Sequence, residues 1–128
     1  MNSRILIADD DSGLRQLMRL ILAREGFDVI EAANGEQTLA LALVVDPALI
    51  LLDVMMPDMD GYDVCRRLKT DRRTGRVPVV FVSAAEGVAC RNETLKLGAD
   101  DCIRKPIGPR DLVARIRTVL DAAYNRTP

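Results

Sequence analysis

The chain has 128 residues, 48% hydrophobic and 3% aromatic, with a formal net charge of −1. That is the size of one ordinary domain with an aliphatic core, and interspersed charge near neutrality excludes the clustered basic footprint of a direct nucleic-acid binder. There is no histidine, which excludes a Ser–His or Cys–His nucleophile pair and any His-ligated metal.

Whatever chemistry occurs here must therefore use carboxylates, lysine and hydroxyls, with or without a hard cation. No apolar run reaches the length of a membrane span. Met1 to Arg4 leads straight into a strand pattern without the layout of a signal peptide. Cys65, Cys90 and Cys102 are odd in number and lie in no metal-type spacing. The expectation is a cytoplasmic protein with reduced thiols, Cys65 lying in the core.

The first apolar run, Ile5 to Ala8, ends in Asp9-Asp10-Asp11. Asp11 or Ser12 caps a helix whose apolar positions are Leu14, Leu17, Met18, Ile21 and Leu22. Gly26 sits just beyond it, at the usual C′ position. Phe27 to Ala32 alternates as a strand does. Asn34, with Gln37 three residues on, caps a second helix carrying Leu39 and Leu43. Ala48 to Leu52 reads as a strand buried on both faces, ending at Asp53. Met55 to Gly61 is a loop in which Met55, Met56 and Met59 read as packing residues. Gly61 opens a third helix with Val64, Cys65 and Leu68 inward. Val77 to Val82 is a further apolar strand ending at Ser83. Residues 86–97 give a weaker fourth helix. Residues 101–104 form a short polar strand ending at Lys105-Pro106. Pro109 starts a last helix burying Leu112, Val113, Ile116, Val119, Leu120 and Ala123.

Alternating βα units imply a parallel sheet. The strands near Phe27 and Asp101 are the polar ones, so they belong at the edges, and those near Ile5, Ala48 and Val77 at the centre. With right-handed crossovers the expected architecture is an α/β, flavodoxin-like doubly wound (βα)5 domain over residues 1–128, strand order 2-1-3-4-5.

In such a sheet, ligands bind beyond the carboxyl ends of the strands. Asp9 and Asp10, Asp53, Ser83 and Lys105 all fall there. Each has an ordinary reading taken alone: a cap, a turn hydroxyl, a solvated charge. Asp71 and Glu93 are read as surface. Together the converging groups have a chemistry. Carboxylates so gathered repel, by roughly 4 kcal/mol per pair at about 4 Å, and a hard oxygen-ligated cation such as Mg²⁺ relieves this. Lys105 adds a compact positive charge and Ser83 a donor. These parts suit a phosphoryl group beside a carboxylate nucleophile.

Four blocks carry a family resemblance: ILIADD (Ile5–Asp10), LLDVMMPDMDG (Leu51–Gly61), PVVFVSA (Pro78–Ala84) and GADDCIRKP (Gly98–Pro106). Each lies on its expected strand, and together they resemble response-regulator receiver domains of two-component signalling, of the chemotaxis-regulator-like kind. The resemblance implies that Asp53 is the phosphoacceptor and that Mg²⁺ is held by Asp10, Asp53, the main-chain carbonyl of Met55 and, largely through water, Asp9. It implies that Ser83, with Ala84, contacts the phosphoryl group as a switch, that Lys105 pairs with it, and that Lys105-Pro106 is cis. The donor would be a phosphohistidine on a sensor histidine kinase or phosphotransfer protein. Such a domain catalyses only its own phosphorylation and dephosphorylation.

Two departures stand out. Cys102 occupies the position of the family's aromatic switch residue. Met55 and Ala85 flank the site without a carboxylate or amide to orient water, which implies a long-lived acyl phosphate. The output stays open: a separate effector, a homodimer through the face of helix four, strand five and helix five with Asp100, Asp101, Asp111 and Arg115 as ion pairs, or a fused DNA-binding or diguanylate-cyclase domain. A haloacid-dehalogenase-type phosphatase would need a second aspartate where Met55 stands. A P-loop nucleotidase would need a Gly-rich Lys-Ser/Thr loop after the first strand. A phosphorylation-independent binding module remains the competing class, disfavoured by the complete set Asp9, Asp10, Asp53, Ser83 and Lys105.

Overall fold

The short apolar runs become the strands of one parallel sheet. A computed structural model describes residues 3–84 and 96–124. In chain order the elements are β1 (Arg4–Ala8), α1 (Ser12–Arg24), β2 (Asp28–Ala32), α2 (Gly35–Val45), β3 (Leu49–Asp53), α3 (Gly61–Thr70), β4 (Val79–Ser83), β5 (Asp101–Arg104) and α4 (Pro109–Tyr124). The sheet order is β2-β1-β3-β4-β5, as the polarity of the second and fifth strands implied. The expected helix over 86–97 falls almost wholly outside the described residues, as do Ala85, Cys90 and Glu93.

Side-chain alternation sorts the central strands into two cores. Ile5, Ile7, Leu49, Leu51, Val80 and Val82 face one side, where Met18 and Leu22 of α1 and Leu112, Ile116 and Val119 of α4 cover them. Leu6, Ala8, Ile50, Leu52, Val79 and Phe81 face the other, against Ala42 of α2 and Val64, Cys65 and Leu68 of α3. Phe81 is fully buried and meets Tyr62 edge to face, the ring centroids 5.3 Å apart. Strands buried on both faces read as continuous apolar runs for this reason.

The caps follow the local signals. Asp11 accepts from the amides of Gly13 and Leu14. Asn34 accepts from Gln37, whose own side chain accepts from Ala33 N. Gly26 takes the left-handed conformation, φ 90°, that a side chain would resist.

Some expectations need correction. Leu17, expected to face inward, is half exposed. It borders a groove between α1 and α4 together with Leu20, Ile21 and Val113, because the apolar stripe of α1 is wider than the strip the sheet covers. Leu43 of α2 and the loop residue Met55 are likewise exposed, Met55 by 79%, whereas Met56 and Met59 do pack against the second core. Cys65 is a free buried thiol, but Cys102 is disulfide-bonded. The reduced-thiol expectation fails there because pairing depends on approach in space, which sequence spacing does not encode. No helix among the described residues is long and apolar enough to cross a membrane.

Candidate functional site at the carboxyl edge of the sheet

β1 and β3 are neighbours, yet the chain leaves β1 toward one edge strand and β3 toward the other. Their following helices, α1 and α3, lie on opposite faces. A crevice opens at such a switch point, and the carboxyl ends of β1 and β3 deliver acidic residues to it.

Asp9, Asp10 and Asp53 each bring a carboxylate oxygen within 4.8 Å of the others, a grouping able to hold a metal ion. Asp9 and Asp53 are buried and Asp10 is exposed. Lys105, at the end of β5, places Nζ 3.1 Å from Asp9 Oδ2 and 3.3 Å from Asp53 Oδ1. Its amide donates to the carbonyl of Ser83 at 2.8 Å, which ties the end of β5 to that of β4. Ser83 is buried and Ala84 is exposed beside it. The Lys105-Pro106 bond is cis, as the resemblance implied. Every side chain expected at the site thus falls at one edge.

Backbone and side chain together aim Asp9. Its Oδ1 accepts from Asp11 N at 2.9 Å, an Asx-type turn. Its carbonyl accepts from Arg15 Nη1 at 2.6 Å. Its amide donates to Ala32 of β2. The remaining oxygen, Oδ2, is fully buried and receives no hydrogen bond. Its partner there is the Lys105 ammonium, as an ion pair. A buried carboxylate held by one shared ammonium is still costly, and a metal ion is a further partner that answers it.

Electrostatics tell the same story. Burial first, and then the charge of Asp9, push the Asp53 carboxyl up from its ordinary 3.8 to about 6, against the opposing pull of Lys105 and the Met55 amide. For Lys105, burial acts to lower the pKa, but Asp53 and Asp9 outweigh it and hold the ammonium above its ordinary value. Among the described residues three carboxylates gather where one ammonium, Lys105, reaches two of them, so the edge is short of positive charge. Acidic oxygens, a hard-cation deficit and a lysine suit a divalent ion with phosphate oxygens.

The residues expected to support a dimer face are engaged within the chain. Arg115 holds Asp101 through two nitrogens, at 2.9 and 2.6 Å, and lies 3.8 Å from Asp111. Asp100 accepts from Val79 N. Asp71 pairs with Arg73, whose side chain and then amide hold the Asp71 carboxyl down at about 2.

Sequence reasoning missed two contributors. Arg15 clamps the Asp9 carbonyl and Glu31. Asp58 reaches back to the start of α2. The contacts to Glu31 and to the start of α2 depend on how separate βα units meet, and the reach of Arg15 back to the Asp9 carbonyl follows no capping or turn pattern.

The model of the response regulator receiver domain family matches residues 5–117. The probable transcriptional regulator ycf27 of Porphyridium aerugineum is 44% identical over 117 residues, 91% of this chain and 48% of that protein. The transcriptional regulatory protein SrrA of Staphylococcus aureus is 38% identical over 127 residues, 99% of this chain and 52% of that one. The chain spans about half the length of these curated relatives. Among solved structures, a CheY-like receiver domain protein from Methanospirillum hungatei JF-1 superposes with a TM-score of 0.91 at 31% identity, covering 99% of this chain and 100% of that one. The BeF3-activated N-terminal receiver domain of Klebsiella pneumoniae RstA gives 0.83 at 29%, covering 91% and 97%. Receiver domains as a family are phosphorylated signalling modules that bind Mg²⁺ at an acidic pocket, and the acidic edge of this sheet has that character. On fold, sequence pattern and edge chemistry alike, the chain belongs to the response regulator receiver domains of two-component signalling.

Proposed function

We propose that Asp53 is the phosphoacceptor of this receiver and that the acidic edge works with Mg²⁺. The observation that carries the reading is the meeting of Asp53, the buried Asp9 carboxylate and Lys105 Nζ at the β1–β3 switch point. Asp10, Asp53 and the Met55 carbonyl would hold the ion, with Asp9 acting largely through water. When bound, it would neutralise the carboxylates and the phosphoryl oxygens.

An Asp53 oxygen attacks phosphorus of a phosphohistidine. The new O–P bond replaces the P–N bond, and the electron pair leaves with the imidazole of the donor. Burial leaves Asp53 titrating near 6, so it is largely ionised and nucleophilic at neutral pH. Lys105 pairs with a phosphoryl oxygen, and the Ser83 hydroxyl donates to another with Ala84 beside it. These 128 residues hold no histidine, so the phosphohistidine lies outside them, on a sensor histidine kinase or a phosphotransfer protein. The likeness to transcriptional regulators supports a transcriptional output, through a fused domain or a separate effector. The face of β5 and α4, where Cys102 replaces the family's aromatic switch, is the surface through which the state is read or a dimer forms.

Intact mass measurement after incubation with acetyl phosphate tests the reading. One phosphoryl adduct is expected, requiring Mg²⁺ and absent from Asp53→Asn. A folded, Mg²⁺-binding chain that takes up no phosphoryl group from acetyl phosphate or from a phosphohistidine donor would overturn it in favour of a phosphorylation-independent binding module.

A further inference from the structure

The two halves of the acidic edge come from loops that are far apart in sequence, and both are fastened to a third segment that carries no chemistry. The loop after β1 is tied to β2 by Asp9 N donating to Ala32 O at 3.1 Å. Three residues later α2 begins, and its first two amides, Gly35 N and Glu36 N, donate to the two oxygens of Asp58 at 2.8 and 2.9 Å. Asp58 lies in the loop between β3 and α3, the loop that follows Asp53 and contains Met55. Met59, next along, sits against Gly35 so closely that a Cβ there would come within 2.7 Å of the Met59 Cβ. The far end of the loop is closed by Gly61 N donating to Val54 O at 2.8 Å.

A helix start normally leaves amides for its own cap or for water. Here Asn34 serves Gln37, and the two amides it does not reach are taken by a residue more than twenty positions away. Those amides hold the Asp58 carboxyl below its ordinary range, Gly35 first and then Glu36, so the anchor stays ionised at neutral pH.

We infer that Asp58 is a positioning residue: by fastening the β3–α3 loop to the start of α2, it sets the place of the Met55 carbonyl relative to Asp9 and Asp10, and so tunes Mg²⁺ affinity without touching the ion. This rests on the metal reading above. The β2–α2 junction is then the frame of the site, holding the acidic loop at Ala32 and the phosphoacceptor loop at Gly35 and Glu36. Residues that orient ligands from behind commonly change metal affinity by 10–100-fold when removed.

The test is calorimetric titration of Mg²⁺ into the unphosphorylated chain, with thermal unfolding in EDTA alongside. Asp58→Ala is expected to weaken Mg²⁺ binding by about 10-fold. Asp58→Asn, which keeps one acceptor oxygen, should lose less. Arg115→Ala is the matched control, because it removes an ion pair from β5 and α4 away from this loop. It should lower the melting temperature and leave Mg²⁺ affinity within about 2-fold, far from the loss a misplaced ligand brings. Asp58→Ala that melts lower yet binds Mg²⁺ like the wild type would reduce Asp58 to a helix cap and overturn the inference. Equal losses in both Asp58 variants that vanish at high ionic strength would also overturn it, since a screened long-range charge would then explain them. A wild-type chain that binds no Mg²⁺ overturns the metal reading itself and this inference with it, an outcome distinct from the other two.

Discussion

The middle of the sheet and its carboxyl edge are made by the same strands and obey opposite rules. In the middle, β1, β3 and β4 bury Ile5, Leu6, Leu51, Val80 and Phe81 completely, each against an apolar neighbour. Two or three residues further on, Asp9, Asp53 and Ser83 are buried at the strand ends, and there the matching stops. Asp9 and Asp53 share one ammonium, Lys105, and Asp53 is held away from its ordinary titration by burial and by Asp9. The flank of the sheet gathers charge too, but in balance: Glu31 sits between Arg15 and Arg19, and Asp101 is gripped by Arg115. Half-buried charge with matched partners is structure. Buried like charge without them stores instability that a ligand relieves.

Substitutions on either side of that boundary should change stability with opposite sign. The largest effect belongs to the middle. Phe81→Ala removes a fully buried ring stacked edge to face on Tyr62 and should cost about 3–5 kcal/mol in urea unfolding. A loss under 1 kcal/mol would mean the second core repacks freely.

Gly61→Ala comes next and strikes the boundary itself. A Cβ there would stand 2.2 Å from the Asp53 carbonyl oxygen and 2.8 Å from Val54 Cα, both backbone, so the loop must move. The expected outcome is a clear drop in melting temperature together with weakened Mg²⁺ binding. Unchanged Mg²⁺ titration in a destabilised variant would separate the loop from the metal site.

Asp53→Asn should do the reverse and stabilise. A carboxyl raised from 3.8 to about 6 on folding favours the folded state while protonated, below its ordinary value. That contribution is lost as pH rises through about 6. In EDTA at pH 7.5 the variant should therefore melt a few degrees above the wild type, with the gap shrinking to nothing near pH 4. Mg²⁺ should raise the wild-type melting temperature and narrow the gap at pH 7.5. A variant that melts lower across that range would mean Lys105 already balances the edge.

The smallest effect lies on the balanced flank. Arg115→Ala removes a two-nitrogen contact to a partly exposed carboxylate, for which about 0.5–1 kcal/mol is expected, reduced further in salt. A much larger loss would point to a second structural duty for Arg115, such as its contact to the Cys102 carbonyl.

Much of this was legible along the chain. A polar fifth strand and an alternating second one placed themselves at the edges, and residues at strand ends had to share one edge because parallel strands end together. Asp11, Asn34 and Gly26 announced their caps within a few residues. What stayed hidden involved partners from other units. Leu17 and Leu43 fit a helical stripe, but its width could not reveal which stripe positions the sheet would cover. Cys102 lay in no diagnostic spacing, and its pairing needed proximity.

The sequence by itself determined the elements, the strand order and the set of groups at the carboxyl edge, because each follows from local periodicity, capping and the parallel connection. Only the tertiary structure decided how those groups are poised: that Asp9 and Asp53 share one ammonium, that Asp53 titrates late, and that Asp58 reaches across to α2. Burial and alignment depend on where several chain segments meet, and hydrogen bonds and desolvation act over a few ångströms of space, whatever the separation along the chain.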